Sequence, residues 1–332
     1  MKSRFCPEGA MPLEVLIVAD GLPGSEGAAC AAGGAEPVTP EGLSALHPLW
    51  AADMAALGCL REVAAPAPLG RCWTPAAETG AHAPTSGADA IAAPCRLVLC
   101  GPCRSTMDVA RGLVEAGTLV PWSSVLTPMQ TAGRGQLRRE WVSRPGNMLA
   151  TLVCPPAAGL WNDLRPLVLG YLFAEAMSEL GPAVSVKWPN DLLCGDHKVA
   201  GMLIEERPGC ILAGIGVNMA FAPAAEQMRA DFKVSAGEFH PSNGALGPLG
   251  LWRALVNRVK TSYSSFLEAF SPNDFLTIFR SRLAWQGRRV LVREGANVRY
   301  EAVVKGVSAE GGLVLDHAGR EVVLLAGDVI PV

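Results

Sequence analysis

The chain has 332 residues, enough for one large domain with one or two small ones beside it. Half of the residues are apolar, so a sizeable core is available, and the net charge of −3 offers no global attraction for nucleic acid or an anionic membrane. No run approaches the roughly 20 apolar residues that cross a bilayer, residues 1–10 lack the long apolar stretch of a signal peptide, and the ten cysteines are scattered without the spacing of a secreted disulfide framework, so reduced thiols in a cytoplasm are expected.

Residues 1–95 stand apart. They are rich in Ala, Gly and Pro and hold four basic against ten acidic side chains, a balance of −6 that leaves +3 for the remainder. Two pieces read as ordered, a strand at 13–19 (LEVLIVA) and an apolar helix over 46–60, joined by flexible connections. From Arg96 the pattern is more regular. A short strand at 96–100 precedes a helix over 105–115, with Ser105 or Thr106 as its N-cap and Gly117 closing it. Strands follow at 123–130 and 148–153, then a helix over 163–180 that stops at Gly181-Pro182. Three further strands are predicted at 184–188, 199–205 and 211–217, and helices over 249–270 and 272–283. After Trp285, short alternating strands at 290–293, 300–305, 312–316 and 321–325, split by glycine-containing turns, mark a small β-barrel of about 50 residues.

Five segments carry residues suited to chemistry. Gln130-Thr131-Ala132-Gly133-Arg134-Gly135, running on through Gln136, Leu137, Arg138, Arg139 and Glu140 to Trp141, allows a tight loop whose amides and guanidinium groups face one ligand. Guanidinium donors match the paired oxygens of carboxylates and phosphates; alone, the segment reads first as a solvated basic turn. Lys187-Trp188-Pro189-Asn190-Asp191 places a lysine at a strand end beside Asn and Asp, able to stabilise a phosphoryl group and position a magnesium ion, or else forms a Trp–Pro packing corner. In Lys198-Val199-Ala200-Gly201 a strand glycine admits a ligand or another backbone. Gly214-Ile215-Gly216-Val217-Asn218 leaves one strand face without side chains, room for a flat ligand, and Asn218 could meet a purine edge. Ser105-Thr106-Met107-Asp108 offers helix N-terminal amides to a polar or anionic group, or is an ordinary cap.

In this order and spacing the five segments resemble the biotin–protein ligase family, within the biotin/lipoate ligase superfamily. The resemblance is strong over 96–218 and weaker through the small barrel. KWPND followed by KVAG and GIGVN is its specific part; a GRG loop alone is not. It implies an α+β fold, with a mixed β-sheet catalytic domain flanked by helices, of the class II aminoacyl-tRNA synthetase and biotin ligase type, and a C-terminal SH3-like β-barrel. The domains expected are 1–95, an acidic and partly ordered region that is not a clear winged helix; 96–284, the biotin- and ATP-binding catalytic domain; and 285–332, the barrel. The implied activity is ATP-dependent activation of biotin to biotinyl-5'-AMP and its transfer to a lysine of a biotin carboxyl carrier protein, with Mg2+ accompanying ATP and no protein-only metal site. A homodimer is compatible with the family.

Carried over residue by residue, Lys187 and Arg134 would be the catalytic cations. Ser105, Thr106, Met107, Gln130 and Gly201 would form the biotin pocket, and Gly133, Arg134, Gly135 and Gln136 the loop covering biotin and the phosphates, with Lys187 on the biotin carboxylate. Arg134, Arg138, Arg139, Trp141, Lys187, Asn190, Asp191 and Asn218 would serve ATP. The family pattern GRGRxGR is broken here: Gln136 stands where an arginine helps hold the activated intermediate, and Arg138 stands where a glycine is usual. Arg138 could return the charge from a neighbouring position; retention of the intermediate is what this departure bears on.

Three other readings compete. A lipoate ligase shares the adenylation chemistry, but the complete KWPND argues against it. Cys100-Gly101-Pro102-Cys103 follows a strand and precedes a helix, the thioredoxin-like arrangement, although Leu99 stands where a tryptophan is usual. A DNA-binding repressor would need clustered Lys and Arg, which the acidic residues 1–95 lack. No Ser–His–Asp arrangement is identifiable among five histidines, which fits a reaction whose nucleophile is the acceptor lysine.

Overall fold

The computed structural model describes residues 13–20, 22, 34–76, 94–136, 139–156, 159, 161–207, 209–224, 234–244, 246–295 and 298–332. The first elements are β1 (Glu14–Val18), α1 (Pro40–Leu46), α2 (Pro48–Leu57), β2 (Leu60–Ala64) and β3 (Arg71–Pro75). The helix predicted over 46–60 is therefore two helices. Pro48 holds His47 extended, and the same proline opens α2 at its first position, where a missing N–H costs nothing. The hairpin β2–β3 was not expected. Both strands lie within the Ala/Gly/Pro-rich region, and β3 pairs antiparallel with β1.

The middle of the chain supplies β4 (Arg96–Leu99), α3 (Thr106–Glu115), β5 (Ser124–Thr127), β6 (Met148–Val153), α4 (Trp161–Leu180), β7 (Ser185–Lys187), β8 (Asp191–Cys194), β9 (His197–Arg207), β10 (Cys210–Val217), α5 (Pro248–Ala269) and α6 (Pro272–Phe279). Ser105 caps α3 by accepting from the Met107 amide, as the sequence indicated. β5 is shorter than the strand predicted over 123–130 because Pro128 has no amide to give to a ladder. With β1–β3 these strands form one ten-stranded mixed sheet, in the order β2-β3-β1-β4-β5-β6-β10-β9-β8-β7.

Helices α4 and α5 cover one face of this sheet, and Phe173 of α4 stacks on Trp252 of α5 with ring centroids 6.0 Å apart. Asp53 of α2 caps α5 from a distance of 196 residues in sequence, its carboxylate accepting from the Leu249 amide at 2.8 Å and the Gly250 amide at 2.9 Å. The N-terminal region is thereby tied to the main helical layer as well as to the sheet.

The C-terminal part is a separate five-stranded antiparallel sheet made of β11 (Arg289–Glu294), β12 (Val298–Val307), β13 (Leu313–His317), β14 (Arg320–Leu324) and β15 (Asp328–Pro331), in the order β14-β13-β12-β11-β15. Val290, Val292, Val304, Leu315 and Val329 are buried on it. Among the contacts that hold it against the large sheet, the Trp188 indole donates to the Gly311 carbonyl at 2.8 Å, and the Trp285 indole, just ahead of β11, to Asp196 at 2.6 Å. The whole is a mixed α+β fold with a large mixed sheet and a small antiparallel one. No helix among the described residues is long and apolar enough to cross a membrane.

Candidate active site

A cavity of about 560 Å³ opens where β7–β10, the start of α3, the glycine–arginine loop and the edge of the C-terminal sheet meet. Its volume is that of a site for a small organic ligand. The α3 end contributes Ser105, Thr106 and Met107, joined by Gln130. The Gln130 side-chain oxygen accepts from the Thr106 amide at 2.8 Å and from its hydroxyl at 3.2 Å, and the Thr106 hydroxyl also accepts from Thr151 at 2.8 Å. Thr151, wholly buried on β6, is a support that the sequence reading missed.

The loop closes on itself as a small hairpin. The Trp141 amide donates to the Gly133 carbonyl at 3.0 Å, and the Gly135 amide to the Arg139 carbonyl at 2.7 Å. Arg134, Gly135, Gln136, Arg139 and Trp141 line the cavity; Gly133 stands behind them and does not. Arg138 lies outside the described residues. Arg134 is held by Asp108 of α3, its guanidinium donating at 2.7 Å. Asp108 also takes Arg111 at 3.4 Å, and Arg111 reaches Glu205 of β9 at 2.9 Å.

Lys187, Asn190 and Asp191 bring the second segment to the same cavity. The buried Lys187 ammonium donates to Asp328 at 2.8 Å and to Asp191 at 3.2 Å. Burial works against its charge, but the two carboxylates outweigh that cost and lift its pKa above the ordinary value. Asp191 also takes Lys198 at 2.6 Å. Burial alone would push Asp191 up, yet the two lysines bring it down to about 2. Asn190 is fixed by donating to the Met202 carbonyl. Over the whole lining there are five cationic side chains against three carboxylates, a surplus of positive charge facing the interior.

Gly201, Gly214, Gly216 and Asn218 complete the wall. Asn218 is buried, its side-chain amide donating to the Gly237 carbonyl at 3.1 Å. The bare face of the alternating glycines, expected to stand open for a flat ligand, is covered. A Cβ on Gly216 would fall 2.5 Å from the Trp141 ring, and one on Gly214 would fall 2.9 Å from the Met107 sulfur. Trp141 therefore lies flat on the paired glycines 201 and 216, and its indole N–H is buried with no partner among the described residues.

Arg293, Gly327 and Asp328, from the C-terminal sheet, also line the cavity and were not foreseen. No motif marks them. Lys198 was not assigned a role either, although it lies inside the KVAG segment and its charge was legible there. The CGPC segment lacks the surroundings of a reactive thiolate. Cys100 is fully buried, and the hydrogen bond with Cys103 together with burial pushes its thiol well up, the opposite of a reactive thiolate.

A profile of the Biotin/lipoate A/B protein ligase family matches residues 102–221. The biotin–[acetyl-CoA-carboxylase] ligase of Paracoccus denitrificans is 32% identical over 229 residues, which is 63% of this chain and 92% of that protein. The chain belongs to the biotin–protein ligase family. A biotin–protein ligase from Aquifex aeolicus in complex with biotin and ATP shares the fold at a TM-score of 0.56, with 22% identity over 70% of this chain and 97% of its own. The biotin–protein ligase of Leishmania major in complex with biotinyl-5-AMP gives a TM-score of 0.50 and 25% identity over 69% of this chain and 98% of its own.

Proposed function

We propose that this chain is a biotin–protein ligase that joins biotin to ATP, forming biotinyl-5'-AMP and pyrophosphate, and then transfers the biotinyl group to a lysine of a biotin carboxyl carrier protein. The observation that carries the reading is the opening of Arg134 and Lys187 onto one cavity with Ser105, Thr106, Gln130 and Asn218. In the first step a biotin carboxylate oxygen bonds to the α-phosphorus while the bond from that phosphorus to the bridging oxygen breaks, and pyrophosphate leaves with the electron pair. Two anions must approach, so fixed positive charge is the main requirement, and each preorganised contact of this kind supplies about 3 kcal/mol. In the second step the acceptor ε-amine attacks the acyl carbon, AMP leaves, and the amine gives up a proton; no nucleophile from this chain is needed.

In this reading Ser105, Thr106, Met107, Gln130 and Gly201 receive biotin, Gly135 and Gln136 bring the loop over it, and Lys187 and Arg134 serve the reacting groups. Arg139, Trp141, Asn190, Asp191 and Asn218 serve the nucleotide side. Magnesium enters as the counter-ion of the ATP substrate. Asp191 and Asp328 are committed to lysines, and no cluster of three or more metal-ligating side chains occurs among the described residues.

The domain division at 95/96 and 284/285 belongs to the same proposal, as does an SH3-like barrel for the C-terminal sheet, supported by its five short antiparallel strands around a shared apolar face. A homodimer and a cytoplasmic location complete it; the described cysteines are all free thiols, which suits a reducing compartment. Pyrophosphate release measured with biotin and with lipoate tests the substrate. Release with biotin and little with lipoate is expected, and the reverse preference would move the chain to the lipoate branch.

A further inference from the structure

Lys198 has a place that the sequence reading left empty. It lines the cavity from β9, and its backbone is fixed on both sides, its amide donating to the Ser235 carbonyl at 2.7 Å and its carbonyl accepting from the Gly237 amide at 2.9 Å. Its ammonium sits 2.6 Å from one oxygen of Asp191, while Lys187 sits 3.2 Å from the other. One largely covered carboxylate therefore sets two ammonium groups side by side. The Trp141 ring is the second restraint, with the Lys198 nitrogen 5.4 Å from its centroid.

The two lysines differ in depth. The Lys187 side chain is 7% exposed and that of Lys198 27% exposed. A nucleotide whose α-phosphate meets the deeper lysine would run its outer phosphates past the shallower one. Among the described residues Asp191 is the carboxylate that Lys198 meets, and Lys187, Lys198, Arg139 and Arg293 together share two carboxylates, Asp191 and Asp328, so positive charge is in excess around the pair.

We propose that Lys198 is a catalytic residue of the first step, neutralising the charge that collects on the departing pyrophosphate, while Lys187 serves the α-phosphate and the biotin carboxylate. The inference rests on the ligase reading above. When the bond between the α-phosphorus and the bridging oxygen breaks, that oxygen keeps the electron pair, and the Lys198 ammonium is the fixed positive charge placed to neutralise it. The second step has no pyrophosphate, so this lysine has nothing to do there.

That asymmetry is the test. The full chain and its Lys198→Met and Lys198→Arg variants are assayed for pyrophosphate release with biotin and ATP, and separately for transfer from preformed biotinyl-5'-AMP to an acceptor domain. Lys198→Met is expected to slow pyrophosphate release about 100-fold and to leave transfer within about threefold of the unsubstituted chain. Lys198→Arg, which keeps the charge, is expected to recover most of the release. A Met variant that loses both steps equally, or neither, overturns the role, as does an Arg variant no better than Met. An unsubstituted chain that releases no pyrophosphate with biotin overturns the ligase reading itself, and this role with it.

Discussion

Lys187 donates to Asp328 at 2.8 Å across a sequence separation of 141 residues. The lysine ends β7 of the large sheet and the aspartate opens β15 of the small one. The other oxygen of Asp328 takes Arg139 of the loop at 3.3 Å and Arg293 of β11 at 3.7 Å. A single buried carboxylate thus joins three parts of the chain, and the C-terminal sheet becomes a wall of the cavity rather than an appendage.

Replacing that carboxylate should loosen the wall. Asp328→Asn leaves Lys187 with Asp191 as its remaining carboxylate and leaves Arg139 and Arg293 without this one. Breaking a buried pair costs a few kcal/mol, reduced here by the second carboxylate, so a loss of about 2 kcal/mol is expected. Urea unfolding measures it, and an unchanged midpoint would deny that the contact holds the two sheets together.

Gly216→Ala should displace Trp141, because the new methyl would sit 2.5 Å from its ring. An overpacking cost of about 1–3 kcal/mol is expected, with a changed tryptophan emission and weaker ATP binding. Gly214→Ala, which meets the flexible end of Met107 at 2.9 Å, should be milder. Equal effects at both positions would mean that Trp141 does not rest on this strand.

Asp108→Asn should release Arg134. The carboxylate holds that guanidinium at 2.7 Å beside the cavity, so on the proposed reading the arginine would meet ATP already placed. Without it, KM for ATP is expected to rise about tenfold, with kcat less affected. A lower KM would show instead that Asp108 withholds Arg134 from the substrate.

Asp53 and Asp191 act on stability in opposite directions. Burial, opposed by the amides of Gly247, Leu249 and Gly250, pushes Asp53 up from 3.8 to about 6. A raised folded-state pKa means that the folded chain binds the extra proton, so the contribution of this group is present below pH 3.8 and lost as pH rises through 6. The loss is about 3 kcal/mol. Asp191, lowered to about 2 by its lysines against burial, contributes about 2 kcal/mol above pH 3.8 that disappears as pH falls toward 2. Unfolding free energy measured between pH 4 and 7 should therefore fall less steeply with rising pH in Asp53→Asn than in the unsubstituted chain. An unchanged slope would contradict the assignment.

Much of the sheet was legible for local reasons. β6 is apolar apart from Thr151 and is buried on both faces, so its limits at Met148 and Val153 follow from composition. The Ser105 cap fixed the start of α3 in the same way. The hairpin β2–β3 was hidden because β2 is an edge strand of Leu, Arg, Glu, Val and Ala with little burial to impose alternation. The motif residues pointed to one cavity because they sit at the ends of neighbouring strands. Arg293 and Asp328 gave no such signal, since their role depends on how one sheet docks on another. Trp141 was read as belonging to the nucleotide side, but no pattern in the sequence says that its ring would lie on Gly201 and Gly216.

The central claim is that the positive charge gathered around Lys187 activates biotin for transfer to a protein lysine. Intact-mass measurement of a biotin carboxyl carrier domain, incubated with this chain, ATP and biotin, tests it most directly. One biotinyl group should be added only when both small molecules are present, and Lys187→Ala should slow the addition about 100-fold. Labelling by Lys187→Ala at near-normal rate, or none by the unsubstituted chain, would contradict the account.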